Sequence, residues 1–222
     1  AKKLGDKFRE KYPFIAVEFV KLGQEKLLQR IFIEHQMKKD LFDVAVFAQT
    51  GIILKRQGIL GKYLSPEMKF FPEGFTDPEG YWTDLYATFN VIGYNTKLVS
   101  VQQAPKVWTD LLNPRWKGNI GMDIDGFQWL AGMLMAMGEE KGMQFMRKLS
   151  EQNIKVRSGR TLNTQLVVAG ELNCAIIYNG RVEEMKEKGA PIEWVGLDPV
   201  IPELHPTGIS AHAPHPHAAK LF

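Results

Sequence analysis

Cysteine is nearly absent from this sequence: Cys174 is the single one in 222 residues. A lone thiol excludes an intrachain disulfide, and its place in the apolar run LNCAII reads as core. No apolar run approaches the roughly 18–20 residues that cross a bilayer. Charge of one sign is also missing. The net charge is +3, with lysines and arginines interleaved among acids, so no basic stripe marks a nucleic-acid partner. Enzyme signatures are lacking as well: there is no Gly-rich phosphate loop, no GxSxG and no HExxH. Neither an internal repeat nor a low-complexity tract occurs. What remains is a hydrophobic content of 45%, ordinary for a globular chain, over a length that suits one large domain or two small lobes.

The order of patterns favours two lobes. An opening helix carries Leu4, Phe8 and Tyr12 at helical spacing. FIAVEFVKL follows as an expected strand. QEKLLQRIFIEHQMKK is an expected helix with Leu27, Leu28, Ile31 and Phe32 on one face. FDVAVF (residues 42–47) has the length and continuous apolarity of a buried parallel strand. QTGIILKRQGIL makes a short helix ending near Gly58. This alternation predicts a mostly parallel sheet flanked by helices. Residues 64–84, crowded with proline, glycine and aromatics, read as an ordered loop. A strand over residues 86–95 then leads to a second alternation. It comprises NIGMDI, FQWLAGMLMAMG, EKGMQFMRKLSEQ, IKVRS, TLNTQLVVAGE, ELNCAII, RVEEMKEKG and IEWVGL. PVIPELHPTGISAHA, stiffened by Pro199, Pro202 and Pro206, forms a return path. The pattern places one lobe at residues 1–88 and 206–222 and the other at 95–198. Hinge segments lie at 86–95 and 198–206. Both ends begin or stop mid-pattern, so a leading strand and closing helices are expected beyond them.

In open α/β sheets ligands bind past the carboxyl ends of strands. Four loops qualify: Gln49 and Thr50 after FDVAVF; Asp125, Gly126 and Phe127 after NIGMDI; Ser158, Gly159, Arg160 and Thr161 after IKVRS; Tyr178, Asn179 and Arg181 after ELNCAII. The third has the clearest logic. A helix N-terminus offers unpaired N–H groups, Ser158 and Thr161 add hydroxyls, and Arg160 adds a fixed positive fork. The competing reading is that Ser158 or Thr161 merely caps the helix. Tyr178 is either a ligand contact or a packed strand-end ring, and Arg181 either reaches a ligand or pairs with Glu183 or Glu184. The acids Asp123 and Asp125 read as ordinary. His212, His215 and His217, spread by Pro214 and Pro216, read as surface or helix-entry residues rather than a metal cluster. His35 and His205 are weaker candidates still.

Residues 107–123, VWTDLLNPRWKGNIGMD, form a domain-entry element: a short helix that stops on Asn113-Pro114, a Trp-Lys-Gly loop and a new strand. With YATFNVIGYNT before it, and with FDVAVFAQTG, LVVAGE and APHPHAAKLF in order, the chain resembles the periplasmic solute-binding proteins of ABC transporters. The likeness is to the type II periplasmic-binding fold, in its ferric-iron-binding branch. That resemblance implies two lobes joined by two crossing strands and closure around a solute. It also implies delivery to a membrane permease, a monomer, and a place in the periplasm or tethered by lipid outside the membrane. Ferric members hold iron with adjacent tyrosines after the strand matching ELNCAII and a carboxylate after the one matching FDVAVF. Here those places read Tyr178-Asn179 and Ala48-Gln49-Thr50. Ferric iron needs anionic oxygen ligands, so a small anionic solute is the favoured cargo. Ferric iron, held through Tyr178, is the alternative, and an enzyme on the same fold comes after both. No resident cofactor is expected.

Overall fold

The computed structural model describes residues 2–48 and 50–222. Along the chain run α1 (Lys2–Lys11), α2 (Gln24–Gln36), β1 (Val44–Val46), α3 (Gly51–Arg56), β2 (Leu60–Gly61) and β3 (Thr83–Asn95). Then come β4 (Ile120–Asp123), α4 (Phe127–Met137), α5 (Glu139–Ser150), β5 (Lys155–Arg157), α6 (Arg160–Ala169) and β6 (Cys174–Tyr178). α7 (Asn179–Glu187), β7 (Ile192–Val195), β8 (Ile201–Ser210) and α8 (Pro216–Leu221) complete the order. Two compact units emerge, Ala1–Tyr86 with Leu204–Phe222, and Ala87–Glu203. The chain passes from one to the other within β3 and returns within β8.

In the first unit, α2 turns the face carrying Leu27, Leu28, Ile31 and Phe32 onto a core of Ala45, Phe47, Leu54, Ile59 and Leu60, the stripe its spacing predicts. β1 and β2 each pair antiparallel with β8, at Val44↔Ile209 and Leu60↔Ser210. Residues 14–22, expected as a strand, form none, and Phe14, Phe19 and Val20 stand exposed. β-branched and aromatic content fits a pleated surface but supplies no partner for the backbone N–H and C=O groups, and a strand requires one. The parallel alternation expected there is replaced by the two antiparallel pairings on the returning strand.

In the second unit, β6 pairs antiparallel with β3 (Asn90↔Tyr178) and parallel with β4 (Ile120↔Cys174). β4 also pairs parallel with β5 (Asp123↔Arg157), and β7 borders β3 antiparallel (Ile92↔Val195). The sheet is therefore mixed. Four of the five residues of β6 are buried, as its continuous apolar run requires with helices on both faces. One face packs on Ile92, Tyr94, Trp129, Met133 and Phe145. The other packs on Val167, Leu172, Val182 and Ile192.

The domain-entry element proves architectural. Asn113 ends the 3-10 turn Trp108–Leu112, and its side chain accepts a hydrogen bond from the Arg115 N–H to start another, Pro114–Trp116. Trp108 and Trp116 are both 2% exposed. Trp108 donates its indole N–H to the Pro199 carbonyl at 3.0 Å and lies 5.3 Å from the Trp129 ring.

Candidate functional site

Three strands of the second unit, β4, β5 and β6, end beside one another, and the side chains at their carboxyl ends form one network. Asp123, the last residue of β4, is its anchor. Its Oδ1 accepts the Gly159 N–H at 2.9 Å and the Asp125 N–H at 3.3 Å. Its Oδ2 accepts from Arg160 Nη1 at 3.0 Å. Gly159 can present its N–H there because the β5–α6 turn takes φ 94°, a conformation open to glycine at little cost. Arg160 Nη2 donates to Asn90 Oδ1 at 3.4 Å and lies 3.6 Å from Glu203 Oε2. The guanidinium sits 4.0 Å from the centre of the Tyr178 ring, and the Tyr178 hydroxyl donates to Glu203.

Burial makes these contacts matter. The side chains of Asp123, Arg160 and Glu203 are only 7%, 10% and 11% exposed. One guanidinium thus faces two carboxylates in a setting where water screens little. Arg160 Nε is buried with no hydrogen-bond partner, a receptive donor of the kind that buried sites rarely leave unused. Burial, and then the hydrogen bond to Glu203, push the Tyr178 phenol well above its ordinary value, against the opposing pull of Arg160. The phenol is therefore protonated and acts as a donor.

The expected site residues distribute unevenly. Gly159, Arg160 and Tyr178 join the network directly, and Asp125 does so through its backbone. The Asp125, Ser158 and Thr161 side chains are exposed beside it. Gly126 and Gly159 are the N-caps of α4 and α6, and neither helix start has a side-chain cap, so Ser158 and Thr161 do not serve as one. Asn179 Oδ1 accepts the Phe89 N–H at 3.1 Å, which ties the start of α7 to β3. Arg181 pairs with Glu184 at 2.8 Å on an exposed helix face, the alternative weighed from the sequence. Thr50 precedes α3 in the first unit, and Gln49 lies outside the described residues. Arg160, expected as an open fork, is already engaged by Asp123, Asn90 and Glu203. Sequence reasoning passed over Asn90, Asp123 and Glu203. Asp123 looked like one of two ordinary acids, and Glu203 sits in a proline-rich stretch that read only as a connection.

The first unit has a pocket and polar contacts of its own. A pocket of about 320 Å³ is lined by Phe47, Ala48, Ile52, Lys55, Trp82 and Pro206. Lys55 is held by both Asp77 oxygens at 3.0 Å and by Glu79 at 2.7 Å. His215 bonds Asp43 through its ring Nδ1 at 3.1 Å, and His35 stacks on His212. Among the described residues no three acids, histidines or cysteines stand together as a metal-holding group. Nor is any helix among them long and apolar enough to cross a membrane.

Residues 23–174 match the model of the bacterial extracellular solute-binding protein family, and the chain belongs to that family. The Fe(3+)-binding periplasmic protein of Serratia marcescens is 29% identical over 102 residues, which cover 45% of this chain and 30% of that protein. The match thus spans less than a third of that relative's length. Iron-bound HitA from Pseudomonas aeruginosa shares the fold with a TM-score of 0.81 at 23% identity, covering 98% of this chain and 73% of that one. AfuA from Actinobacillus pleuropneumoniae, solved with fructose-6-phosphate bound, does so with a TM-score of 0.79 at 24% identity, covering 100% and 73%. The fold is that of the two-lobed periplasmic binding proteins.

Proposed function

We propose that this chain is the solute-binding component of an ABC importer and that it captures a small anionic solute at the Arg160 network. The protein works outside the cytoplasmic membrane, in the periplasm or tethered by lipid, as a monomer that delivers its solute to a membrane permease. The observation that carries the anion is Arg160 itself, a buried guanidinium with an unpartnered Nε beside the first turn of α6. The amides of that turn and the exposed Ser158 and Thr161 hydroxyls add donors. Asp125, Gly126, Gly159, Tyr178 and Asn179 complete the ligand-binding set proposed in the second unit. Calorimetric titration of the purified protein with small organic anions tests this. Arg160→Ala should weaken the ligand about tenfold or more, as a charged hydrogen bond of roughly 1.5–3 kcal/mol implies. An unchanged midpoint would remove Arg160 from the site. Closure about β3 and β8, expected from the resemblance, should appear as a smaller radius of gyration in solution scattering on saturation.

Ferric iron is the second reading, favoured by the name of the Serratia relative and by the contact between the Tyr178 and Glu203 oxygens. It asks a phenol whose pKa is raised to ionise beside a carboxylate. A visible phenolate-to-iron charge-transfer band on ferric loading, lost in Tyr178→Phe, would establish it. A colourless loaded protein would dismiss it.

A further inference from the structure

Arg160 follows Gly159 in the β5–α6 turn, and the peptide groups on both sides of that glycine are held. The Gly159 N–H goes to Asp123 Oδ1 at 2.9 Å. The Gly159 carbonyl accepts two N–H groups from one residue of α6: the Asn163 backbone at 3.3 Å and the Asn163 side-chain Nδ2 at 3.2 Å. The backbone bond is the ordinary helical one, so the carbonyl has a partner without the side chain. The side chain itself is in an unfavourable setting. Asn163 is 0% exposed, and its Oδ1 is buried with no hydrogen-bond partner. That oxygen lies against β4 at Gly121, where an added Cβ would stand 2.8 Å from it. An orphaned buried acceptor destabilises a fold, and asparagine inside a helix is less favourable than leucine. Packing alone does not account for an asparagine here.

Resting on the anion reading above, we infer that Asn163 is a positioning residue: it sets the direction of the Gly159–Arg160 peptide and so aims the donors that meet the solute. Gly159 takes φ 94°, and a Cβ added to it would have nothing within 4 Å. Side-chain packing therefore does not hold the turn. Two hydrogen bonds do so, Asp123 on the peptide before the glycine and Asn163 on the peptide after it. A peptide is planar and trans, so fixing the Gly159 carbonyl also fixes the Arg160 N–H, which points the opposite way. That N–H belongs to the first turn of α6, where amides lack helical partners and suit an anion. The same peptide carries the Arg160 Cα, from which the guanidinium reaches Asp123. Asn163, with no exposed surface, acts through Gly159 and Arg160 and does not touch the solute.

The test is Asn163→Leu, which keeps the branching of the side chain and removes both the donor and the orphaned acceptor. Its melting temperature should match or exceed that of the native protein. Calorimetric titrations of the whole chain use inorganic phosphate, methylphosphonate and succinate as probes. The variant should bind whichever of them the native protein binds about tenfold more weakly, the scale on which outer partners that orient a binding group act. A purely structural role predicts the reverse pattern, a lower melting temperature with affinity unchanged. Unchanged affinity in the folded variant overturns the positioning role while the anion reading stands, whatever happens to the melting temperature. If leucine prevents folding, Asn163→Ala takes its place, with the same loss of affinity expected and the same result overturning it. If the native protein binds none of the three probes, the anion reading falls and this inference falls with it.

Discussion

Asp123 Oδ2 and Arg160 Nη1 lie 3.0 Å apart with both side chains buried. The same carboxylate orders the backbone at Gly159 and Asp125, so it is a keystone of the site's geometry as well as a counter-ion. Removing Asp123 leaves Glu203 beside Arg160 as counter-ion, so the loss is that of the hydrogen bonds its carboxylate accepts, and leaving buried donors unsatisfied costs about 1–3 kcal/mol. Asp123→Ala should therefore lower the melting temperature by roughly 2–12 °C, at about 2–4 °C per kcal/mol for a chain of this size. Asp123→Asn, which retains acceptors, should lie between. A melting temperature unchanged in both would mean that the pair does not form in solution.

Tyr178 gives a pH signature. Its phenol is raised above the ordinary value of 10.0, by burial first and by the Glu203 hydrogen bond second. The sign follows from proton counts: above the ordinary phenol value the unfolded chain has lost this proton while the folded chain keeps it. The stabilisation is thus complete below about pH 10 and declines as pH climbs beyond it. In a spectrophotometric titration of the six tyrosines, Tyr178 should ionise late. Tyr94, raised chiefly by burial, should lag as well. Tyr178→Phe should remove one late phenol and flatten the alkaline decline in stability. A profile identical to that of the native protein would contradict the buried, hydrogen-bonded phenol.

Where a segment buries one face or both, the sequence announces it. α2 could be read from Leu27, Leu28, Ile31 and Phe32, β6 from LNCAII, and α6 from a run that stops at Gly170, which takes the left-handed φ of 81°. The strand expected over residues 14–22 failed for a different reason. Its composition suits a sheet, but pairing depends on a remote partner that local pattern does not encode. The candidate site was legible only in part. Arg160 and Tyr178 stood out because strand-to-helix loops carry function. Their partners Asn90 and Glu203 lie 70 and 43 residues from Arg160 in sequence, and only the pairing of the long strands reveals them. Charge balance at a site is a three-dimensional property, so Arg160 looked like a free fork when it was a paired one.

Cys174 should be chemically silent in the folded protein. It is 0% exposed in β6, and burial pushes its thiol up to about 12 from an ordinary value of 9.0. The thiolate is the reactive form, so an aromatic disulfide reagent should label nothing in native buffer and one thiol per chain in denaturant. Native labelling, when it occurs, should proceed at the rate of unfolding and not rise with reagent concentration. Fast, concentration-dependent labelling of the native protein would show that β6 is accessible.

Two glycines of the second unit should respond to alanine in opposite directions. Gly121 in β4 is hemmed in: a Cβ there would meet Leu172 Cδ1 at 2.6 Å, Asn163 Oδ1 at 2.8 Å and the Ala175 Cβ at 3.0 Å. Ala175 is its register partner on β6, so the backbone has little room to give. Overpacking of this kind costs about 1–3 kcal/mol, and Gly121→Ala should melt roughly 2–12 °C lower. Gly180 lies in the first turn of α7, and nothing stands within 4 Å of its added Cβ. Alanine there removes the conformational freedom that glycine retains in the unfolded chain, worth roughly 0.5–1 kcal/mol in a helix. Gly180→Ala should melt about 1–4 °C higher. A double substitution should return the sum of the two shifts, since the added Cβ at Gly180 touches none of the residues that crowd Gly121. If Gly121→Ala proves neutral, the close approach of β4 to β6 and α6 is looser than these distances state.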